Sequence, residues 1–209
     1  MVDVWNVVHT ERESLIEDLS VLPDGQWNTP SLCKGWTVHD VLAHLVDDAR
    51  TTRFSFIRGL ILAGFNFNRL NQNGVNRERR HNPQETLAAF QQEAHRTGSA
   101  PAPLASRLVE IIVHGEDIRR PLGIPHAYAV DATIEAIEYQ LATSDSMGGS
   151  KGRAAGLRLI ATDADWSHGS GVEVQGRAID LLVALTGRSI PTDALSGAGA
   201  ASLMQTTAG

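Results

Sequence analysis

The stretch RLVEIIVHGEDIRRPLG, residues 107–123, decides how this chain is read. Leu108, Ile111, Ile112 and Ile118 recur at helical spacing, and Pro121 and Gly123 mark a stop, which predicts a helix over about 103–119. A helix turns once per 3.6 residues, so Glu110 and His114 project from one face. A carboxylate beside an imidazole supplies two of the ligands that a divalent transition metal needs. The same pair on an exposed helix is an ordinary i,i+4 contact worth roughly 0.2–0.5 kcal/mol. The surrounding isoleucines point to burial, and a buried polar stripe that also carries Arg107 and Asp117 must be satisfied. Metal ligation would do that, and so would an internal salt-bridge network.

Upstream, GWTVHDVLAHLV at 35–46 holds a third candidate ligand, His44. Thr37 and Asp40 stand in capping-box spacing, and Val41, Leu42, Leu45 and Val46 give the helix they open a broad apolar face. This helix is expected to run to about Ile61. A histidine among such residues is either a hydrogen-bonded core residue or a ligand. His39, in the first turn, is expected at the surface. His9, His81, His95, His126 and His168 show no ligand spacing.

An amphipathic helix is expected at about 3–20, from Val4, Val8, Leu15, Ile16 and Leu19. The Asn- and Arg-rich stretch 63–82 reads as a long loop, with room for a helical turn. Asn82, Pro83 and Glu85 then begin another helix in favourable N-cap, N1 and N3 positions. Four helices of these lengths suit an up-down bundle. Beyond a boundary near 125 the pattern changes. A helix is expected at 131–143, then a strand in GLRLIATD at 156–163 with VEVQ at 172–175 as its hairpin partner. A helix over 177–186 closes at Gly187, and the tail from Ser196 reads as small, polar and frayed. The expected fold class is α+β and mainly α. Residues 1–124 would form the bundle and 125–209 a small α+β domain.

The 209 residues carry a net charge of −6, with 42% hydrophobic and 20% charged residues, which suits a globular chain without the basic face a duplex binder needs. Arg77, Arg79 and Arg80 read as solvated surface. The longest apolar run, GLILAGF at 59–65, is too short to cross a bilayer. Cys33 is the single cysteine, and the N-terminus lacks a signal-peptide pattern, so a cytoplasmic protein is expected.

GWTVHDVLAHLV resembles the Trp–Ser/Thr–x–x–Asp…His-Leu signature of the DinB-like metal-binding bundles. More narrowly, it is similar to the mycothiol-dependent maleylpyruvate-isomerase-like proteins, and RLVEIIVHGEDIRRPLG is similar to their second metal motif. GLRLIATDADW and GVEVQGRAIDLLVALTGR resemble the sterol-carrier-like domain that follows the bundle in that family. The resemblance implies His44, Glu110 and His114 as metal ligands. It places Trp36 near the start of the ligand helix, Asp117 holding a ligand or an arginine, and Arg188 as a catalytic, anion-binding residue. It also implies mycothiol as thiol cosubstrate, zinc as the favoured metal, and isomerase or thiol S-transferase chemistry on a small electrophile. Arg119 and Arg120 could bind thiol or substrate carboxylates, or could simply meet the negative end of their helix dipole. Cys33, with no base beside it, is not expected to be a nucleophile. The expected partners are small molecules acting on a monomer or homodimer. The alternatives are a non-catalytic metal- or ligand-binding bundle and a regulatory module whose three residues form a structural network.

Overall fold

A computed structural model describes residues 2–205, which divide into a helical unit, Asp3–His126, and a second unit from Ala127 onward. The helical unit contains α1 (Val4–Ser20), α2 (Val38–Arg50), α3 (Arg53–Leu62), α4 (Phe67–Glu78), α5 (Pro83–Gln92) and α6 (Ser106–Leu122). The bundle proper is α1, α2, α5 and α6, with α1 packed on α5 and α6 and α2 packed on the same two. Leu15, Leu42, Phe90, Leu108 and Ile112 fill its core.

The expected long helix through 37–61 is two helices. Thr51 and Thr52 leave helical geometry, and Thr52 with Ser55 forms a second capping box that opens α3. The expected loop at 63–82 is mostly α4. Asn66 caps it by accepting from Arg69 N–H at 2.9 Å, and Gly74, Val75 and Glu78 bury its inner face. Gly74 is required there, because a Cβ would stand 2.1 Å from Asp47 Oδ2 on α2. Gly59 plays the same part between α3 and α4, where a Cβ would meet Leu70 Cδ1 at 2.8 Å. None of the α3 side chains is buried, and Phe54, Ile57, Ile61 and Leu62 are exposed on it.

Pro121 does not stop α6; it sits within the last turn, which Gly123 closes in the left-handed conformation at φ 68°. Proline has no N–H to give the carbonyl four residues back. That carbonyl, of Asp117, instead accepts from Leu32 N–H at 3.2 Å, which ties the 29–37 loop to α6.

In the second unit, α7 (Val130–Ala142) packs on α8 (Ala178–Leu185), and α8 lies on a sheet in the order β2-β1-β3-β4. The strands are β1 (Leu157–Ala161), β2 (Ser167–Gly169), β3 (Val172–Gly176) and β4 (Leu195–Ser196). VEVQ is not the hairpin partner of β1. β2 makes the antiparallel return, and β3 pairs parallel to β1 on its other side, Leu157 opposite Val172. The chain passes around the start of β1 through Gly169 and Gly171, both at positive φ, and a Cβ on Gly171 would lie 2.1 Å from Gly156 O. The tail from Ser196 is also more structured than expected. α9 (Ala200–Met204) buries Ala200 and Leu203, while the expected fraying at the extreme end lies outside the described residues. Among the described residues no helix is long and apolar enough to cross a membrane.

Candidate metal centre

His44 sits in the middle of α2, Glu110 one turn into α6 and His114 one turn further on. Packing of α2 on α6 brings the three together, with one ligand atom of each lying within 4.8 Å of the others. Glu110 Oε2 is 3.5 Å from His44 Nε2 and 3.3 Å from His114 Nε2. The imidazole rings meet edge to face, 4.7 Å apart at 78°. Ligands about 2.1 Å from a tetrahedral ion stand about 3.4 Å from each other, so both contacts match the edge of a coordination tetrahedron. His44 Nδ1 is buried with no hydrogen-bond partner, and Glu110 Oε2 has none of good geometry, only the two imidazole nitrogens at 3.3 and 3.5 Å. Two imidazoles and one carboxylate also leave a coordination position open, as catalytic zinc sites do.

The supporting residues prepare the site for positive charge. His114 Nδ1 faces Asp117 Oδ2 at 2.8 Å, and the Asp117 side chain is fully buried. With Nδ1–H donating to Asp117, the Nε2 lone pair is left aimed at Glu110. Burial alone would lower the His114 pKa, but Asp117 and Glu110 overcome it and raise it to about 9. Burial likewise pushes Glu110 up, and the two neighbouring imidazoles reverse this and hold its carboxyl well below the usual range. Without a metal the centre therefore favours keeping a proton.

The 29–37 loop covers one side. Pro30 bridges Thr37, Ser31 N–H donates to Trp36 O at 2.9 Å, and Gly35 turns the chain at φ 83°. The Trp36 ring lies 5.1 Å from that of His44, and its Nε1–H donates to Gln72 Oε1 at 3.0 Å. On another side a cleft of about 420 Å³ reaches His44 and Glu110, walled by α3 and α4. Its charges are mostly matched. Arg77 pairs with Asp47 and Arg107 with Asp48, while Arg50 Nη1 meets Glu78 Oε2 at 2.6 Å and Arg50 Nε meets Glu93 Oε1 at 2.9 Å. Burial pushes the Asp47 carboxyl up, and Arg77 partly offsets it. Asp47 and Asp48 follow His44 by three and four residues, a spacing that marks them in the sequence as neighbours on its face.

Other expectations fare differently. His39 is buried, not exposed; its Nε2 lies 2.8 Å from Thr86 Oγ1 on α5, and burial, then the charge of Arg79, lowers its pKa to about 4. Arg119 is 1% exposed and turned to α1, with Nε 2.7 Å from Asp18 Oδ2 and Nη2 3.1 Å from Ser14 Oγ. These contacts commit it to holding α1 on α6, so it is not placed to bind a thiol. Arg120 pairs with Glu116 on its own helix. Arg188 lies in the second unit, where its Nη1 donates to Thr186 O at 3.0 Å. Arg79 and Arg80 pair with Asp40 and Glu78, so the local basic run is internally compensated.

No curated protein matches this chain. Two solved structures resemble it in fold. One is a crystal structure of the mycothiol-dependent maleylpyruvate isomerase, at 15% identity and a TM-score of 0.58. The other is a histidine-to-alanine mutant of the mycothiol-dependent maleylpyruvate isomerase, at 14% identity and a TM-score of 0.61. Each comparison covers 95% of this chain and 92% of the other. Residues 8–105 match the family described as the mycothiol maleylpyruvate isomerase N-terminal domain. Over those residues the helical unit is similar to the mycothiol maleylpyruvate isomerase N-terminal domain family.

Proposed function

We propose that this protein is a metal-dependent enzyme that uses mycothiol as nucleophile on a small electrophile, in the manner of a maleylpyruvate isomerase or a thiol S-transferase. The observation that carries the reading is Glu110 Oε2, buried without a hydrogen-bond partner of good geometry 3.3 and 3.5 Å from two imidazole Nε2 atoms. His44, Glu110 and His114 would hold a divalent metal, with zinc favoured by the family resemblance over the iron, nickel or manganese that the set also suits. Bound there, the metal would lower the pKa of an arriving thiol and so supply a thiolate at neutral pH.

The chain's own residues set up the rest. Asp117 fixes the His114 tautomer, and Trp36 flanks His44. Phe56, Leu62 and Leu70 give the cleft apolar walls. Sulfur adds to an activated double bond, the former double bond rotates, and elimination returns thiol and isomerised product. If the carbanion left by addition instead takes up the proton that the thiol released, the product is a thioether. A cytoplasmic setting, where low-molecular-weight thiols stay reduced, suits this chemistry.

The test has two arms. Metal content is measured by mass spectrometry on the parent and on His114→Ala: one zinc per parent chain and none in the variant is expected, and equal content in both overturns the ligand assignment. Thiol consumption is then followed with mycothiol and a panel of activated alkenes. Loss of turnover on omitting either thiol or zinc supports the enzyme, whereas zinc binding with no turnover on the panel favours a non-catalytic metal-binding bundle. Arg188→Ala tests separately whether the second unit contributes a positive charge to turnover.

A further inference from the structure

The charges that line the cleft do not all have partners. Four arginines line it, and Arg50, Arg77 and Arg107 are each matched by an acid. The fourth, Arg58, is exposed and makes no hydrogen bond or ion pair among the described residues. Glu110, the remaining acid of the lining, is turned to the two imidazoles.

The position of Arg58 follows from helix geometry. Ser55, Phe56, Arg58, Gly59 and Leu62 all line the cleft, and their offsets of one, three, four and seven residues define one face of α3. Phe56 and Leu62 lie to either side of Arg58 along that face, and Leu70 comes from α4 opposite. A ligand entering here meets apolar walls, one unmatched guanidinium, and the centre at His44 and Glu110. Guanidinium groups recognise carboxylates through paired, charge-assisted hydrogen bonds. A second carboxylate would find its candidate cations already bound to Asp47, Asp48 and Glu78.

Resting on the metal–thiol reading, we propose that Arg58 is a specificity residue and that the cleft selects an electrophile with one carboxylate on an apolar body of a few carbons. The cleft volume of about 420 Å³ accommodates a molecule of that size. The carboxylate docks on Arg58, the apolar body lies between Phe56, Leu62 and Leu70, and the reactive carbon faces the centre.

Calorimetric binding of non-reactive probes to the zinc-loaded protein tests this without turnover. 3-Phenylpropionate is expected to bind more tightly than 3-phenylpropionamide and than succinate. Arg58→Gln should weaken 3-phenylpropionate about tenfold and leave the amide unchanged, and Arg58→Lys should restore part of the loss. Arg58 is exposed and unpartnered, so neither substitution disturbs the core. Equal 3-phenylpropionate affinity in the parent and Arg58→Gln overturns the proposal, as does tighter binding of succinate. If thiol consumption persists while probe binding ignores Arg58, this inference falls and the enzyme reading stands. If probe binding follows Arg58 while no thiol is consumed, the carboxylate site stands and the enzyme reading falls.

Discussion

Replacing Asp117 by asparagine removes one charge and keeps the shape of the side chain, so it probes what that carboxylate does for His114. The contact is 2.8 Å from Oδ2 to Nδ1, fully buried, and it leaves Nε2 as the lone pair aimed at the centre. Partners of this kind around ligating histidines are worth 10- to 100-fold in metal affinity, or roughly 1.4–2.7 kcal/mol. Proton competition works against part of that loss. Asp117 also helps to raise His114 to about 9, so at neutral pH the parent must give up a proton before it can ligate. The variant is a weaker base, holds that proton less tightly, and recovers some apparent affinity. The full loss should therefore show above the His114 pKa of about 9 and shrink toward neutral pH. Zinc competition against a chelator of known affinity at both pH values measures it, with circular dichroism to confirm that the fold is kept. An unchanged affinity above that pKa would refute the assignment of His114 as a ligand held by Asp117.

Two further outcomes follow from buried groups away from the centre. His39 stays neutral in the folded chain, with a pKa of about 4 against 6.5 when unfolded, so the unfolded state takes up more protons between those values. Its contribution to stability is present above pH 6.5 and is lost as pH falls toward 4, about 2 kcal/mol between pH 7 and pH 5, and urea unfolding should show that slope flattened in His39→Gln. Arg12 is buried, and its Nη1 donates to the carbonyls of Arg96, Ala94 and Glu93 at 2.9, 3.3 and 3.4 Å just past the end of α5, while Nη2 approaches Asp48 at 3.9 Å. Arg12→Met strands these acceptors and should cost roughly 3 kcal/mol in the same assay; a loss below the error of the measurement would show that water replaces the guanidinium freely.

Features written in local chemistry were legible from the sequence. The Thr37–Asp40 capping box, the Asn82–Pro83 helix start and the His44, Glu110 and His114 positions all lie in short motifs, and both capping motifs and the gathering of the three side chains are seen in the structure. The misreadings lie where tertiary contacts override local pattern. Apolar residues run on past Arg50 without glycine or proline before Gly59, so α2 and α3 read as one helix, although Thr52 and Ser55 carried the signal for the break. α4 is too polar to show an apolar stripe, and its stability comes from Gly74 and Val75 against α2, with Asn66 as the only local mark. The three-residue β2, exposed along its length, has no alternating pattern to betray it. His39 and Arg119 were misjudged for a related reason, since a buried imidazole or guanidinium is identified by its partners, here Thr86 and Asp18, and those lie far away in sequence.

The single hydrogen at Gly59 sets how the cleft wall packs. α3 can rest on Leu70 of α4 only because no methyl intervenes at a point where one would come within 2.8 Å. A larger residue there must push the end of the Leu70 side chain aside, which reshapes the wall between Phe56 and Leu70. It would do so without touching His44, Glu110 or His114. The shape of the cleft wall and the composition of the centre are thus set by different residues, and the first can be altered at one position without touching the second.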